Sequence, residues 1–131
     1  MKKTVIRITR HPWDSDREAA IKVAFGDDVI LVDRDCPFGD DPVKSVQALL
    51  AEYDGVVAIE VVAPIPVLAK LTQAKRELGH IQILRAEFAR GADGRAKVVG
   101  QDAAGRDIFG FSHYEVIERV EVKTRPLVTT N

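Results

Sequence analysis

Cysteine is almost absent from this chain, because Cys36 is the only thiol among its 131 residues. One thiol excludes an intrachain disulfide and any metal site built from several thiolates, and we expect a cytoplasmic protein. The charges nearly cancel, since 19 Lys and Arg stand against 20 Asp and Glu. We therefore expect no overall field that attracts nucleic acid or an anionic membrane. No window approaches the roughly 20 apolar residues of a membrane span, and we predict no signal peptide at the start of the chain.

Sequence motifs that bind common cofactors are also absent. The chain has no GxGxxG after its first strand, no GxxxxGK[ST], no GxSxG, no HExxH and no paired CxxC. These absences weigh against dinucleotide dehydrogenases, P-loop enzymes, common hydrolases and structural zinc sites. We predict neither a cofactor nor a dedicated metal site.

The residues that are present predict a globular α/β fold. Apolar residues make up 46% and charged residues 30% of the chain, and the length suits one domain over residues 1–131. Apolar runs at 4–9, 29–32, 56–62 and 81–88 predict strands, and helical periodicity lies between them at 15–25, 42–53 and 64–78. This alternation favours a Rossmann-like, three-layer βαβαβαβ fold with a mainly parallel sheet over residues 1–90.

The local signals inside this pattern are specific. Ser15 and Glu18 have the spacing of a capping box, and Asp41 before Pro42 predicts the start of the second helix. The unbroken apolar run at 29–32 predicts a central strand. After residue 90 we expect a β-rich extension of antiparallel strands or hairpins, with strands at 95–99, 107–111 and 116–123. Residues 112–115, Ser-His-Tyr-Glu, resemble a catalytic set in residue type but have the spacing of a capping box or a strand-end turn.

The loops after the parallel strands are the predicted site of chemistry. In an open parallel sheet, ligands bind beyond the carboxyl ends of the strands, where the strand order reverses. The candidates that this rule selects are Thr9, Arg10, His11, Trp13, Asp33, Asp35 and Glu60. His11 is the catalytic candidate, because an imidazole can act as a general acid or base near neutral pH or donate to a phosphate. It can equally be part of a simple His-Pro turn.

Each remaining candidate has a structural alternative. Trp13 can stack on a base or close the end of the core over the first helix. Asp33 and Asp35 can bind Mg²⁺ together with Asp14 or Asp16, or they are ordinary acidic loop residues. Glu60 interrupts a buried strand, so it needs either a ligand or an ion-pair partner, for which Arg7 and Arg85 are available. Cys36 has no His partner fixed in the sequence, so nothing marks it as a nucleophile.

One short segment is similar to a known family. Ile8-Thr9-Arg10-His11-Pro12 resembles the strand-Ser-Arg-His-Pro opening of small CRISPR-associated proteins related to cyclic-oligoadenylate sensing and ring nucleases, with Thr9 in the place of Ser. The resemblance implies a metal-independent phosphodiesterase. In such an enzyme Thr9 and a basic side chain hold a phosphate while a 2′-hydroxyl attacks it, and His11 assists proton transfer.

Three functional hypotheses follow from the sequence. The first is a small homodimeric binding module for a nucleotide or another small anionic ligand at the strand carboxyl ends. The second is the phosphodiesterase or ring nuclease that the resemblance implies, so the sequence leaves open whether the chain is an enzyme. The third is a structural or regulatory homodimer without a ligand, whose outer strand lies at residues 120–126.

Overall fold

A computed structural model of the chain describes residues 2–9, 13–121 and 123–128. The elements follow one another in the order β1 (Thr4–Ile8), α1 (Ser15–Phe25), β2 (Ile30–Arg34), α2 (Pro42–Leu50), β3 (Val56–Val61), α3 (Ile65–Gln73), β4 (Gln82–Phe88), β5 (Val98–Gln101), β6 (Asp107–Phe109) and β7 (Phe111–Val116). Within these described ranges no helix is long and apolar enough to cross a membrane.

The fold is mixed α/β, with a mostly parallel sheet of five strands. The strand order is β2-β1-β3-β4-β7, and a separate two-stranded hairpin pairs β5 with β6. The first four strands are parallel, whereas β7 is antiparallel to β4. The predicted parallel sheet with an antiparallel extension is confirmed.

Two apolar cores cover the two faces of this sheet. On one face, α2 and α3 pack against Ile6, Ile59 and Ile83. On the other face, Ile21 and Phe25 of α1 pack against Val5, Ala58 and Leu84. Successive side chains of a strand alternate between the faces. Arg7 and Glu60, two positions beyond Val5 and Ala58, therefore lie on the α1 face as well.

The helix boundaries agree with the sequence in part. The N-cap of α2 is Asp41, whose side chain accepts from the Lys44 amide, as predicted. The N-cap of α1 is Asp14 rather than Ser15, so the predicted capping box is wrong. The third helix ends at Gln73 rather than at Leu78. Turns follow it, yet Leu78 is buried, because these turns carry it into the core that α3 covers.

The prediction of a central second strand is wrong, because β2 lies at the edge of the sheet. The connection from β2 to β3 crosses β1, so β1 occupies the interior position instead. Ile30 in β2 is 43% exposed. An apolar run indicates that helices cover both faces of a strand, but it does not indicate how many strands flank that strand.

The C-terminal predictions need the largest correction. Residues 112–115 lie inside β7 and not in a turn. The expected strand over 116–123 and the outer strand expected over 120–126 are absent among the described residues. Regular pairing ends at Val116, and one further bond joins the Ile117 amide to the Ile83 carbonyl. Ile117 and Val120 pack against the α2–α3 core, which draws the chain away from the sheet edge. The predicted strands at 95–99 and 107–111 shift to β5 and β6.

Candidate functional site

A pocket of about 870 Å³ opens at the carboxyl ends of β1 and β3. β2 and β3 flank β1 on opposite sides, so this is the point where the strand order reverses and where open α/β sheets bind ligands. The loop after β1, the loop after β3 and the β5–β6 hairpin each contribute to its lining.

A buried ion pair forms the floor of the pocket. Arg7 and Glu60 are direct neighbours in the β1–β3 register, and both follow the alternation that puts them on the α1 face. Arg7 Nε lies 2.9 Å from Glu60 Oε2, and the two side chains are only 6% and 1% exposed. The expectation that Arg7 pairs with Glu60 is confirmed, because a carboxylate at this depth requires a counter-charge.

Tyr114 completes the environment of Glu60 on the same face of the sheet, from β7, two strands away from β3. It lies opposite Ala86 in the β4–β7 register, and its hydroxyl donates to Glu60 Oε2 over 2.9 Å. Burial raises the pKa of Tyr114 far above its ordinary value, and the negative charge of Glu60 raises it further. Tyr114 therefore stays protonated and acts as a hydrogen-bond donor.

The first turn of α1 adds a second Arg–carboxylate pair above this floor. The Asp14 carboxylate caps the helix by accepting from the Arg17 amide over 2.8 Å, and its other oxygen accepts from Arg17 Nη1. Burial opposes the charge of Asp14, but the hydrogen bonds from Arg17 outweigh it and lower the pKa of Asp14. Asp14 is thus ionised and fixes the Arg17 side chain in position.

The Arg17 side chain has a hydrogen-bond donor that its neighbours do not satisfy. It is 12% exposed, its Nε lies 3.9 Å from Glu60 Oε1, and its guanidinium sits 5.0 Å from the Phe111 ring centre. That Nε–Oε1 separation exceeds a hydrogen bond. Within the part of the chain that the structure describes, the buried Nε has no acceptor. Because Arg17 lines the pocket, an acceptor atom of a ligand could supply the missing partner.

The outer wall of the pocket comes from the β5–β6 hairpin. Ile108 and Phe109 of β6 line the pocket together with Phe88 at the end of β4. The Phe88 and Phe109 ring centres lie 6.0 Å apart, with the rings inclined by 57°. The hairpin turn is held by Asp102, which accepts from the Ala104 and Arg106 amides. Asp102 and Asp107 also line the pocket, so this wall combines apolar and aromatic side chains with two carboxylates.

The predicted site residues divide into three groups. Thr9, Asp35 and Glu60 line the pocket. Trp13 does not line it. Its Nε1 donates to the Val32 carbonyl over 3.2 Å and its ring packs against the α1 core, which is the structural role considered for it. Asp33 is exposed and lies outside the pocket lining. Arg10 and His11 lie outside the described residues.

The magnesium hypothesis for Asp33 and Asp35 finds no support in the described ranges. No three side chains of the His, Cys, Asp and Glu types come together there. Asp14, which was considered as a third ligand, is occupied as the cap of α1 and the partner of Arg17.

Cys36 lies in the pocket lining beside Phe38. Burial raises the pKa of its thiol, and its Sγ lies 3.9 Å from the Ser45 carbonyl oxygen, within the range of a weak sulfur hydrogen bond. The thiol stays protonated at neutral pH, whereas a nucleophilic cysteine needs a lowered pKa. Cys36 therefore contributes a small apolar surface to the pocket.

Sequence reasoning missed Arg17, and it assigned Tyr114 to a cap or a strand-end turn. The signal for Tyr114 was available, since Ser112, Tyr114 and Val116 alternate with His113 and Glu115 in the period of a strand. The signal for Arg17 was weaker. A cationic residue in the first turn of a helix opposes the helix dipole, so it needs a local reason, and Asp14 and Glu60 supply that reason.

Comparison of the chain with protein-family models, with curated proteins and with solved structures finds no match. The resemblance of residues 8–12 to the CRISPR-associated proteins stays a hypothesis, because Arg10, His11 and Pro12 lie outside the described residues. Any functional assignment therefore depends on the chemistry of the pocket.

Proposed function

We propose that the chain is a Rossmann-like binding module for a small anionic ligand, such as a nucleotide, in the pocket at the carboxyl ends of β1 and β3. The observation that carries this proposal is the Arg17 guanidinium, which lines the pocket and whose buried Nε has no acceptor among the described residues. A buried donor without an acceptor costs free energy unless a ligand or water completes it.

The positive charge that an anionic group can meet in this pocket is local to Arg17, because the lining as a whole has three Arg side chains and five Asp or Glu side chains. Arg7 and Glu60 neutralise each other in the floor, and Tyr114 donates to the same Glu60 oxygen. Asp14 binds one side of Arg17 and leaves other N–H groups of the guanidinium available. A planar guanidinium held in this way binds phosphate or carboxylate oxygens with defined geometry.

The apolar part of the pocket suits a ring attached to that anionic group. Ala63 lines it near β3, while Ile108 and Phe109 line it from the hairpin. A volume of about 870 Å³ falls in the range of small-ligand sites, and an aromatic side chain can stack on a nucleobase with little dependence on its identity. A mononucleotide combines these two features, with its phosphate at Arg17 and its base at the hairpin wall.

Thermal unfolding in the presence of candidate ligands tests this proposal. We expect one class among mononucleotides, cyclic oligonucleotides and inorganic phosphate to stabilise the protein. A ligand at 100 times its Kd adds about 2.7 kcal/mol, which raises the melting temperature by roughly 8 °C. Arg17→Gln should abolish this rise. Arg119→Gln, which removes an equally charged but 75% exposed side chain, should leave it unchanged.

Two results would contradict the proposal. One is the absence of any ligand-dependent rise in a protein that unfolds cooperatively, and the other is a rise that survives in Arg17→Gln. Turnover of a cyclic oligonucleotide in the same panel, lost in a folded His11→Ala variant, would instead favour the phosphodiesterase hypothesis.

A further inference from the structure

β7 forms an open edge of the five-stranded sheet. It pairs with β4 on one side, and among the described residues no backbone hydrogen bond joins its other side to the rest of the chain. The residues that follow do not cover it, because Ile117 and Val120 turn onto the α2–α3 core. Open edges of this kind pair readily with another strand.

The outward hydrogen-bonding groups of β7 can be assigned from one contact. The Ile117 amide donates inward, to the Ile83 carbonyl. Neighbouring residues of an antiparallel strand direct their backbone groups to opposite sides, so Tyr114 and Val116 direct their N–H and C=O groups away from β4. A β-bulge opposite Glu87 and Phe88 ends the regular ladder near Ser112.

The side chains of β7 match those of a second, antiparallel β7. When a two-fold axis passes through Tyr114, His113 of each copy faces Glu115 of the other. Both side chains are exposed, at 57% and 50%, on the same face of the sheet. An imidazole N–H can donate to a carboxylate directly across two strands, such cross-strand pairs stabilise strand pairing, and the interface is self-complementary, as a two-fold dimer requires.

The opposite edge of the sheet lacks this complementarity. If two copies of β2 paired about an axis through Val32, Leu31 of one copy would face Asp33 of the other, and Ile30 would face Arg34. Each of these pairs sets an apolar side chain opposite a charged one. Compared about their middle residues, β7 places polar partners opposite each other and β2 does not, which favours β7 as the edge that recognises a second copy.

We propose that two copies of this chain associate through β7, in antiparallel register about Tyr114, and so join their two five-stranded sheets into one. The backbone groups of Tyr114 and Val116 bond across the interface, and the reciprocal His113–Glu115 pairs fix its register. This association is independent of the pocket at the carboxyl ends of β1 and β3.

Sedimentation velocity on the full chain tests the proposal. We expect a species with twice the monomer mass of 14.4 kDa. Val116→Pro removes one outward N–H group and leaves the inward Ile117 amide in place, and proline is tolerated at such an edge position. It should give a monomer, whereas Val116→Ala, which keeps the N–H group, should remain a dimer.

The register is tested by exchanging charges. His113→Glu places a carboxylate at residue 113 of each copy opposite Glu115 of the other copy. We expect this repulsion to raise the dimer dissociation constant by about tenfold. Adding Glu115→Lys to that variant sets a carboxylate opposite an ammonium group at both places and should recover most of the loss. A wild-type protein that stays monomeric up to about 100 μM, where even weak interfaces are populated, would overturn the proposal. So would a dimer that is insensitive to Val116→Pro.

Discussion

Glu60 is a carboxylate almost completely removed from solvent, and three side chains determine its environment. Arg7 supplies the counter-charge at 2.9 Å, Tyr114 donates a hydrogen bond, and Arg17 approaches to 3.9 Å. Such a pair adds little net stability over an apolar pair, but removing one partner leaves an uncompensated buried charge. The Arg7–Glu60 pair therefore acts as a fixed floor beneath the Asp14–Arg17 pair.

Replacing Glu60 by Gln tests this description of the pocket floor. The substitution removes the carboxylate that lies 2.9 Å from Arg7 Nε at a nearly buried position, and we expect it to lower the free energy of unfolding by about 3 kcal/mol. Urea denaturation at neutral pH measures this loss.

Glu52→Gln is the matched control for that measurement. Glu52 pairs with Arg34 at 3.0 Å, but it is 51% exposed, so its loss should cost less than about 1 kcal/mol. Equal losses in the two variants would show that Glu60 is not held as a buried charge.

Sequence reasoning at the residue scale succeeded where burial could be inferred. The apolar run around Glu60 indicated that this carboxylate needs a partner, and Arg7 was one of two partners available for it. Arg17 could not be found in this way. Its importance depends on the distance between the first turn of α1 and β3, which no local pattern specifies.

The turn between α2 and β3 shows how an element can depend on one glycine. Gly55 has a φ of +68°, and a Cβ atom there would lie 2.5 Å from the Lys2 carbonyl oxygen. The Thr4 amide donates to the Gly55 carbonyl over 2.8 Å, so this contact aligns the start of β1 with β3.

Gly55→Ala should therefore be more harmful than an alanine at another left-handed glycine. Gly39 has a φ of +59°, and a Cβ atom there would have no neighbour within 4 Å, so Gly39→Ala should cost only about 1 kcal/mol for its backbone conformation. Gly55→Ala adds a backbone clash and should cost about 3 kcal/mol in total. Thermal or urea unfolding of the two variants compares these values, and equal losses would contradict the close approach of the two chain segments.

At the scale of elements, the sequence predicted the alternation of strands and helices but not the neighbours of each strand. Hydrophobic periodicity depends on which face of an element is covered, and both β1 and β2 are covered by helices. Strand order depends on how the connections cross, which is why β2 was wrongly predicted to be central. The strand alternation of residues 111–116 was overlooked because Ser112, His113 and Glu115 are residue types common in turns and caps.

At the scale of the whole molecule, the pocket arises where segments distant in sequence meet. Arg7 and Glu60 come from neighbouring parallel strands, Arg17 from the helix between β1 and β2, and Phe109 from the C-terminal hairpin. This pocket lies at the strand carboxyl ends, where the rule for open parallel sheets expects a ligand. That rule could not predict the hairpin wall, because the path of residues 89–110 depends on tertiary contacts.

The most direct test of the proposed ligand site is the NMR signal of the Arg17 Nε–H group in ¹⁵N-labelled protein, assigned by its loss in Arg17→Gln. We would titrate the protein with adenosine monophosphate and, separately, with inorganic phosphate. If a ligand oxygen completes this buried donor, the signal should shift progressively and saturate, while the exposed Arg119 Nε–H signal stays in place. An Arg17 signal that does not move with a ligand that stabilises the protein, or that moves no more than Arg119, would contradict the account.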